Sequence, residues 1–391
     1  LNSGNTDLDL RNQEKQLASS VSNSENPANL IYSVANGPNG PTSYTLGNGL
    51  NSVYGYDTLG RLNGGWVCNG STMASCSGGT ETYGFTNTWK GVELNASSDT
   101  ALGQTSTYGY DQFNRLASRT VTAGTAQNFS YTYDRWGNRW NQTVTSGSGP
   151  QPSFSFNTST NQITSSGYTY DAAGNMTNDG SDTYTYDAEG NIIKVDSGTT
   201  ALYNYDALNH RFRTYASGAT TEFVFNQNGQ RVSVWNASTG TVERDQYYWG
   251  SKPVAFTASG ATHFQHQDWL GTERTRTTYN GTTEGTYASL PFGDGYSSSG
   301  SDQDPYHYAQ LDYDSETATS HAQFRQDSTT QGRWMSPDPY SESYVFTNPQ
   351  TFNRYVYALN NPLSLLDRLG LCPVQRTMRR QTAPPITTIR S

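Results

Sequence analysis

The side chains that could carry chemistry are few. There are five histidines and three cysteines among 391 residues, so any metal or nucleophile site has to be built from a short roster. His263 and His266 stand three apart with Asp268 beside them, a spacing that could hold a metal weakly. No third ligand is evident, and a solvent-facing strand or loop explains the same residues. His210, His307 and His321 stand alone. Cys68 and Cys76 flank the polar stretch NGSTMAS, where they form either a small disulfide loop or two unpaired thiols, while Cys372 is far away. Three cysteines are too few for a disulfide scaffold or a metal tetrad. No cofactor and no metal is expected.

The carboxylates are more numerous, and their spacing is regular. An alternating Tyr-x-Tyr-Asp unit reads YGYDTLGRL from Tyr54, YGYDQFNRL from Tyr108, YTYDRWGNR from Tyr131, YTYDAAGNM from Tyr168, YTYDAEGNI from Tyr184 and YNYDALNHR from Tyr203, with a degenerate FVFNQNGQRV from Phe223. In Tyr184-Thr185-Tyr186 the two rings fall on one face of a period-2 strand. Asp187 then opens a turn, because its short side chain can accept from backbone N–H groups two residues on, and Gly190 or Asn191 supplies the positive φ. Ile192, Ile193 and Val195 carry the returning strand. These aspartates are read as turn formers and not as acids or bases.

The elements that position everything else are therefore hairpins. One such hairpin is marginal in water, so each needs its neighbours, and the expected product is an all-β, continuous, curling sheet. Composition agrees: aromatics make up 13% with 28 tyrosines, although the apolar share is only 33%. The interval from Tyr56 to Tyr110 holds the cysteine loop and NTWKGVELN, read as a diverged repeat, and no linker is visible before about residue 296. A net charge of −9 without a basic stripe argues against a nucleic-acid partner. No stretch is apolar enough for a membrane span, and Leu1 to Leu10 lack the pattern of a secretory signal. A chain opening on Leu1 is expected to be a fragment or a processed product.

The repeats resemble the YD repeats of the RHS family, which includes C-subunits of insecticidal toxin complexes and bacterial polymorphic toxins. Downstream segments strengthen the likeness in order: HFQHQDWLGTER (263–274), YASLPFGDGY from Tyr287, FRQDSTTQGRWMSPDP (324–339) and NRYVYALNNPLSLLDRLGL (353–371), the last two resembling the RHS-repeat-associated core. The resemblance implies a partial RHS shell with a C-terminal core or plug segment. It divides the chain into an N-terminal segment (1–53), repeats (54–296), the core (297–371) and a short basic tail (372–391), a remnant of a variable region. It further implies a shell that encapsulates or presents a C-terminal effector, absent or vestigial here, and is secreted or at the cell surface with a shell-capping or delivery protein as a possible partner.

By the same resemblance the core cuts its own chain once, between Leu371 and Cys372, with Asp338 and Asp367 as catalytic carboxylates and Arg325 as a supporting cation. Two close carboxylates cannot both ionise, so one keeps a proton as acid while the other activates water. A peptide held permanently beside them needs no binding step. Arg325 would orient a carboxylate or stabilise the oxyanion. Two departures stand out. Arg368 replaces the usual proline and is expected to place a cation beside Asp367, favouring its ionised form. The 20 residues after Leu371 are too short for an enzymatic domain. The competing reading is a non-catalytic surface scaffold, adhesive or carbohydrate-contacting, built on exposed tyrosine and tryptophan.

Overall fold

The structure is a computed structural model; it describes residues 30–70, 72–76, 81–300, 306, 308–371 and 374–375. Residues 1–29 of the expected N-terminal segment, His307, Cys372 and most of the expected basic tail lie outside the described residues.

The chain is nearly all β and winds without crossovers. A first antiparallel sheet of ten strands runs from Ile31–Gly37 to Arg139–Gly147, and a second of twelve runs from Tyr184–Tyr186 to Ser297–Gly300, each strand pairing with the next in sequence. The hairpin Tyr168–Tyr170/Met176–Asp179 lies between them, and single bridges Asn141 to Ser153 and Asn178 to Thr183 carry pairing across the junction. Sequential pairing is the outcome expected when each hairpin buries its aromatic face only against its neighbours. Strands from Ile31 onward already belong to the first sheet, as does the hairpin Tyr83–Lys90/Glu93–Asp99 of the diverged interval. Ser297–Gly300, at the start of the expected core, pairs with Thr283–Ala288 as the last strand of the second sheet. Cys68 and Cys76 are joined in a disulfide, Cα to Cα 5.6 Å, closing the loop that carries the one-turn helix Met73–Cys76.

Each repeat turn is built by its aspartate. In the Asp187 turn, Oδ1 accepts from the N–H groups of Glu189 (3.0 Å) and Asn191 (2.8 Å), Oδ2 accepts from Asn191 Nδ2 (3.1 Å), and Asp187 N–H donates to the Asn191 carbonyl (3.0 Å). The same pattern surrounds Asp57, Asp111, Asp134, Asp171 and Asp206, and Asn226 keeps the Oδ1 contacts in the degenerate copy. The variable residue four after the aspartate is Arg61, Arg115, Asn138, Asn175, Asn191 or His210, which share one property: a donor that reaches Oδ2. Asp268 makes an eighth turn of this kind, accepting from Leu270 and Thr272 N–H.

The segment from Tyr308 to Leu371 rests across this row of turns. Its Asn360 Nδ2 donates to the Gly137 carbonyl (2.8 Å), Tyr355 hydroxyl to Gly174 (2.7 Å), Gln323 to Leu208 (2.7 Å) and Gln350 to Phe113 (2.9 Å). Every one of these acceptors lies in a Tyr-Asp turn. Within the segment, a four-stranded sheet runs from Asp312–Asp314 to Arg333–Trp334, and buried ion pairs fix it to the second sheet. Arg211 meets both oxygens of Asp314 at 2.7 and 2.6 Å, and Arg231 meets Asp312 at 2.6 and 3.0 Å. Such charges are tolerated in the interior only as hydrogen-bonded pairs.

Candidate functional site

The short strand Gln326–Ser328 sets the position of Arg325, and its guanidinium is where the candidate residues meet. Nη2 lies 3.2 Å from Asp338 Oδ2 and 3.3 Å from Asp367 Oδ2, and it donates to the Leu371 carbonyl at 3.0 Å. Nε donates to the Gly370 carbonyl and Nη1 to the Arg354 carbonyl. The cation lies over the fully buried ring of Trp334, 4.4 Å from its centroid. Arg325, Asp338, Asp367 and Leu371 are thus gathered around one planar group; Cys372 lies outside the described residues.

Local turns aim the two carboxylates. Asp338 follows Pro337, and its Oδ1 accepts from Tyr340 N–H at 2.8 Å while its own N–H donates to the Arg354 carbonyl. Asp367 folds the chain end over itself, because Oδ1 accepts from the N–H groups of Gly370 and Leu371, both at 2.9 Å. Gly370 is required at this bend: its φ is +75°, and a Cβ there would lie 3.1 Å from Arg325 Cβ and 3.2 Å from Ala322 Cβ. In each aspartate one oxygen shapes the backbone and the other faces the cation.

Burial pushes the carboxyls of Asp338 and Asp367 above their usual range, against the pull of Arg325. It also brings the Arg325 guanidinium down to about 10. Burial thus opposes simultaneous ionisation of the two carboxyls. Asp338 also lines a cleft of about 620 Å³, bounded by Phe324, Pro337, Arg354, Tyr186 and Asp187, through which water can approach. Arg368, expected to place its charge on Asp367, reaches Ser251 and Gln310, and the largest influences on Asp367 are burial and Arg325.

The histidines do not converge. An odd separation places His263 and His266 on opposite faces of their strand. His263 Nδ1 lies 2.7 Å from Glu284, and His266 Nε2 lies 2.8 Å from Thr277 Oγ1 in the interior, where burial lowers its pKa to about 3. Asp268 serves its turn and pairs with Arg274 at 3.0 Å. Among the described residues no cluster of three His, Cys, Asp or Glu could hold a metal. Sequence reasoning passed over Trp334, which supports the guanidinium, and Asp327, which is buried beside it, although both lie within the segment FRQDSTTQGRW.

The Teneurin YD-shell family profile matches residues 92–363, most of the chain. The chain belongs to the Teneurin YD-shell family. Against the Photorhabdus luminescens Tc holotoxin pore carrying TccC3 with a D651A mutation, the YD-shell chain aligns with TM-score 0.71 and 17% identity over 88% of its length and 19% of that chain. A TcdB2-TccC3 structure without its hypervariable C-terminal region gives TM-score 0.70, 18% identity and the same coverages. At these identities the likeness is one of fold. The tRNA3(Ser)-specific nuclease WapA of Bacillus spizizenii is 28% identical over 228 residues, which is 56% of this chain and 10% of that protein. The YD-shell chain thus spans a fifth or less of these longer proteins.

Proposed function

We propose that this chain is part of an RHS-type shell that encloses a C-terminal effector and severs the effector's connection by one aspartyl-type hydrolysis after Leu371. The observation that carries the reading is the Arg325 guanidinium, bonded at once to Asp338, Asp367 and the Leu371 carbonyl. A water entering from the Asp338 cleft adds to the Leu371 carbonyl carbon and loses its proton to the ionised carboxylate. Arg325 Nη2 takes the developing oxyanion, and the protonated carboxyl gives its proton to the Cys372 nitrogen as the carbon–nitrogen bond breaks. A Leu371 carboxylate and a Cys372 amine result. Because the peptide is part of the fold, a slow site suffices for one turnover. The enclosing role, an extracellular setting and a capping or delivery partner belong to the same proposal, supported by the YD-shell fold and its likeness to the TccC3-containing structures.

Intact mass of the purified chain tests the cut. A species ending at Leu371, absent from Asp338→Asn and Asp367→Asn, is the expected result; an uncut chain indistinguishable from both variants would overturn it. The scaffold reading retains one observation in its favour, the outward-facing Trp140 and the loop aromatic Phe346, 47% and 87% exposed. Glycan binding lost on Trp140→Ala would favour it.

A further inference from the structure

Behind Arg325 lies a carboxyl that the proposed chemistry does not use. Asp327 follows Arg325 by two residues, so in extended chain their side chains share a face. Asp327 is paired directly with Trp334 on the next strand, and Trp334 is the residue whose ring underlies the Arg325 cation. Asp327 is only 1% exposed. Its Oδ1 meets no hydrogen-bond partner, and the indole Nε1 of Trp334 on the paired strand is likewise buried without one. An ionised carboxylate at such a place would be expected to draw donors to both oxygens, because a buried charge without them is costly. The charged groups facing it are Arg139, Arg325 and Asp367, with the phenols of Tyr308 and Tyr357. Arg139 is already committed to Gln142 and to the Thr330 carbonyl.

Charge decides what this arrangement does. Within the hydrogen-bonded group Arg325 brings one positive charge, and Asp338 and Asp367 sharing one proton bring one negative charge, so the group is balanced without Asp327, with Arg354 a further cation acting on Asp338. An ionised Asp327 would add a second negative charge, draw the guanidinium back from the Leu371 carbonyl and oppose ionisation of Asp367. We propose that Asp327 is a third carboxyl of this site, a positioning residue that stays protonated and leaves the charge of Arg325 to Asp338, Asp367 and the Leu371 carbonyl. This rests on the self-cleavage reading for its consequence, though not for the protonation itself. Burial raises the Asp327 carboxyl well above its usual range, in the same direction as the geometry.

Two measurements separate the proposal from that reading. In the full chain labelled with 13C-aspartate, the infrared stretch of a protonated carboxyl is expected at pH 7 and is expected to lose intensity in Asp327→Asn. Its persistence unchanged in that variant would overturn the proposal whether or not the chain cuts. In chain made by cell-free synthesis and chased between pH 5 and 9, Asp327→Asn is expected to cut within about threefold of the native rate at pH 7 and to hold its rate about one pH unit further into alkali. A native-like pH profile, or a folded Asp327→Asn chain that does not cut, would overturn the positioning role. Asp338→Asn run alongside reports on the cleavage reading alone, and thermal melting of each variant establishes that it has folded.

Discussion

The Tyr186 hydroxyl donates to the Met176 carbonyl at 2.8 Å, joining one hairpin to the one before it. Tyr56, Tyr110 and Tyr133 do the same with Pro41, Leu94 and Leu116, at 3.0, 2.9 and 2.6 Å. In these four units the tyrosine preceding the aspartate is thus a staple between units as well as a packing ring. Tyr186→Phe keeps the ring and removes the bond, and is expected to cost about 1 kcal/mol by urea unfolding, with the Met176 carbonyl losing its donor. Tyr133→Phe, at a distant turn, should add to it independently.

The turn aspartates are expected to rank by burial. Asp187→Ala removes three local hydrogen bonds at a turn open to water and should cost about 1–2 kcal/mol, while Asp187→Asn, the solution used at Asn226, should cost less. Asp268→Ala also takes the nearer carboxylate from the buried Arg274, which keeps only that of Asp99 at 4.0 Å, and should cost about 3 kcal/mol. Equal losses in the two alanine variants by denaturant titration would contradict this.

Removing the cation should show both in stability and in its pH dependence. Arg325→Met leaves Asp338 and Asp367 buried without a counter-ion, at a cost of about 3–5 kcal/mol near neutral pH. Without the cation both carboxyls rise further above their unfolded values. Stability carried by groups raised in this way is present at low pH and lost as pH rises through the folded-state pKa. The deficit against native chain should therefore shrink on acidification from pH 7 to 5, read as melting temperature at each pH.

The buried pairs that seat the last sheet should act as a latch. Arg211→Ala leaves Asp314 without its bidentate partner, and hydrogen exchange should rise in 312–334 more than in the first sheet. A uniform rise across the chain would mean that the segment has no separate opening.

His266 sets an acid limit. The folded interior lowers it to about 3, whereas the unfolded chain takes up a proton near the ordinary value of about 6.5. Its contribution is complete above that ordinary value and is lost as pH falls, by about 1.4 kcal/mol per unit between there and the folded-state value. The difference in melting temperature between native and His266→Gln chain should therefore change in favour of the variant from pH 7 to 4.5.

Much of the architecture was legible because it is local. Tyr-x-Tyr places two rings on one face, Asp sets the turn, and a donor four residues on closes it; those relations hold within nine residues and can be read without knowing the fold. The likeness of 324–339 and 353–371 to a known core marked Arg325, Asp338 and Asp367. Other features depended on contacts between distant parts of the chain. Asp268 reads as a ligand beside two histidines, yet its turn bonds and Arg274 claim it. Arg368 reads as a neighbour of Asp367, yet it reaches Ser251, 117 residues away. Asp327 looks like any turn-prone aspartate until Trp334 and Arg325 close over it. Sequence determined the hairpins because their hydrogen bonds are short-range; tertiary structure decided the burial that raises the carboxyls of Asp327, Asp338 and Asp367, because desolvation depends on what the rest of the chain brings to cover them.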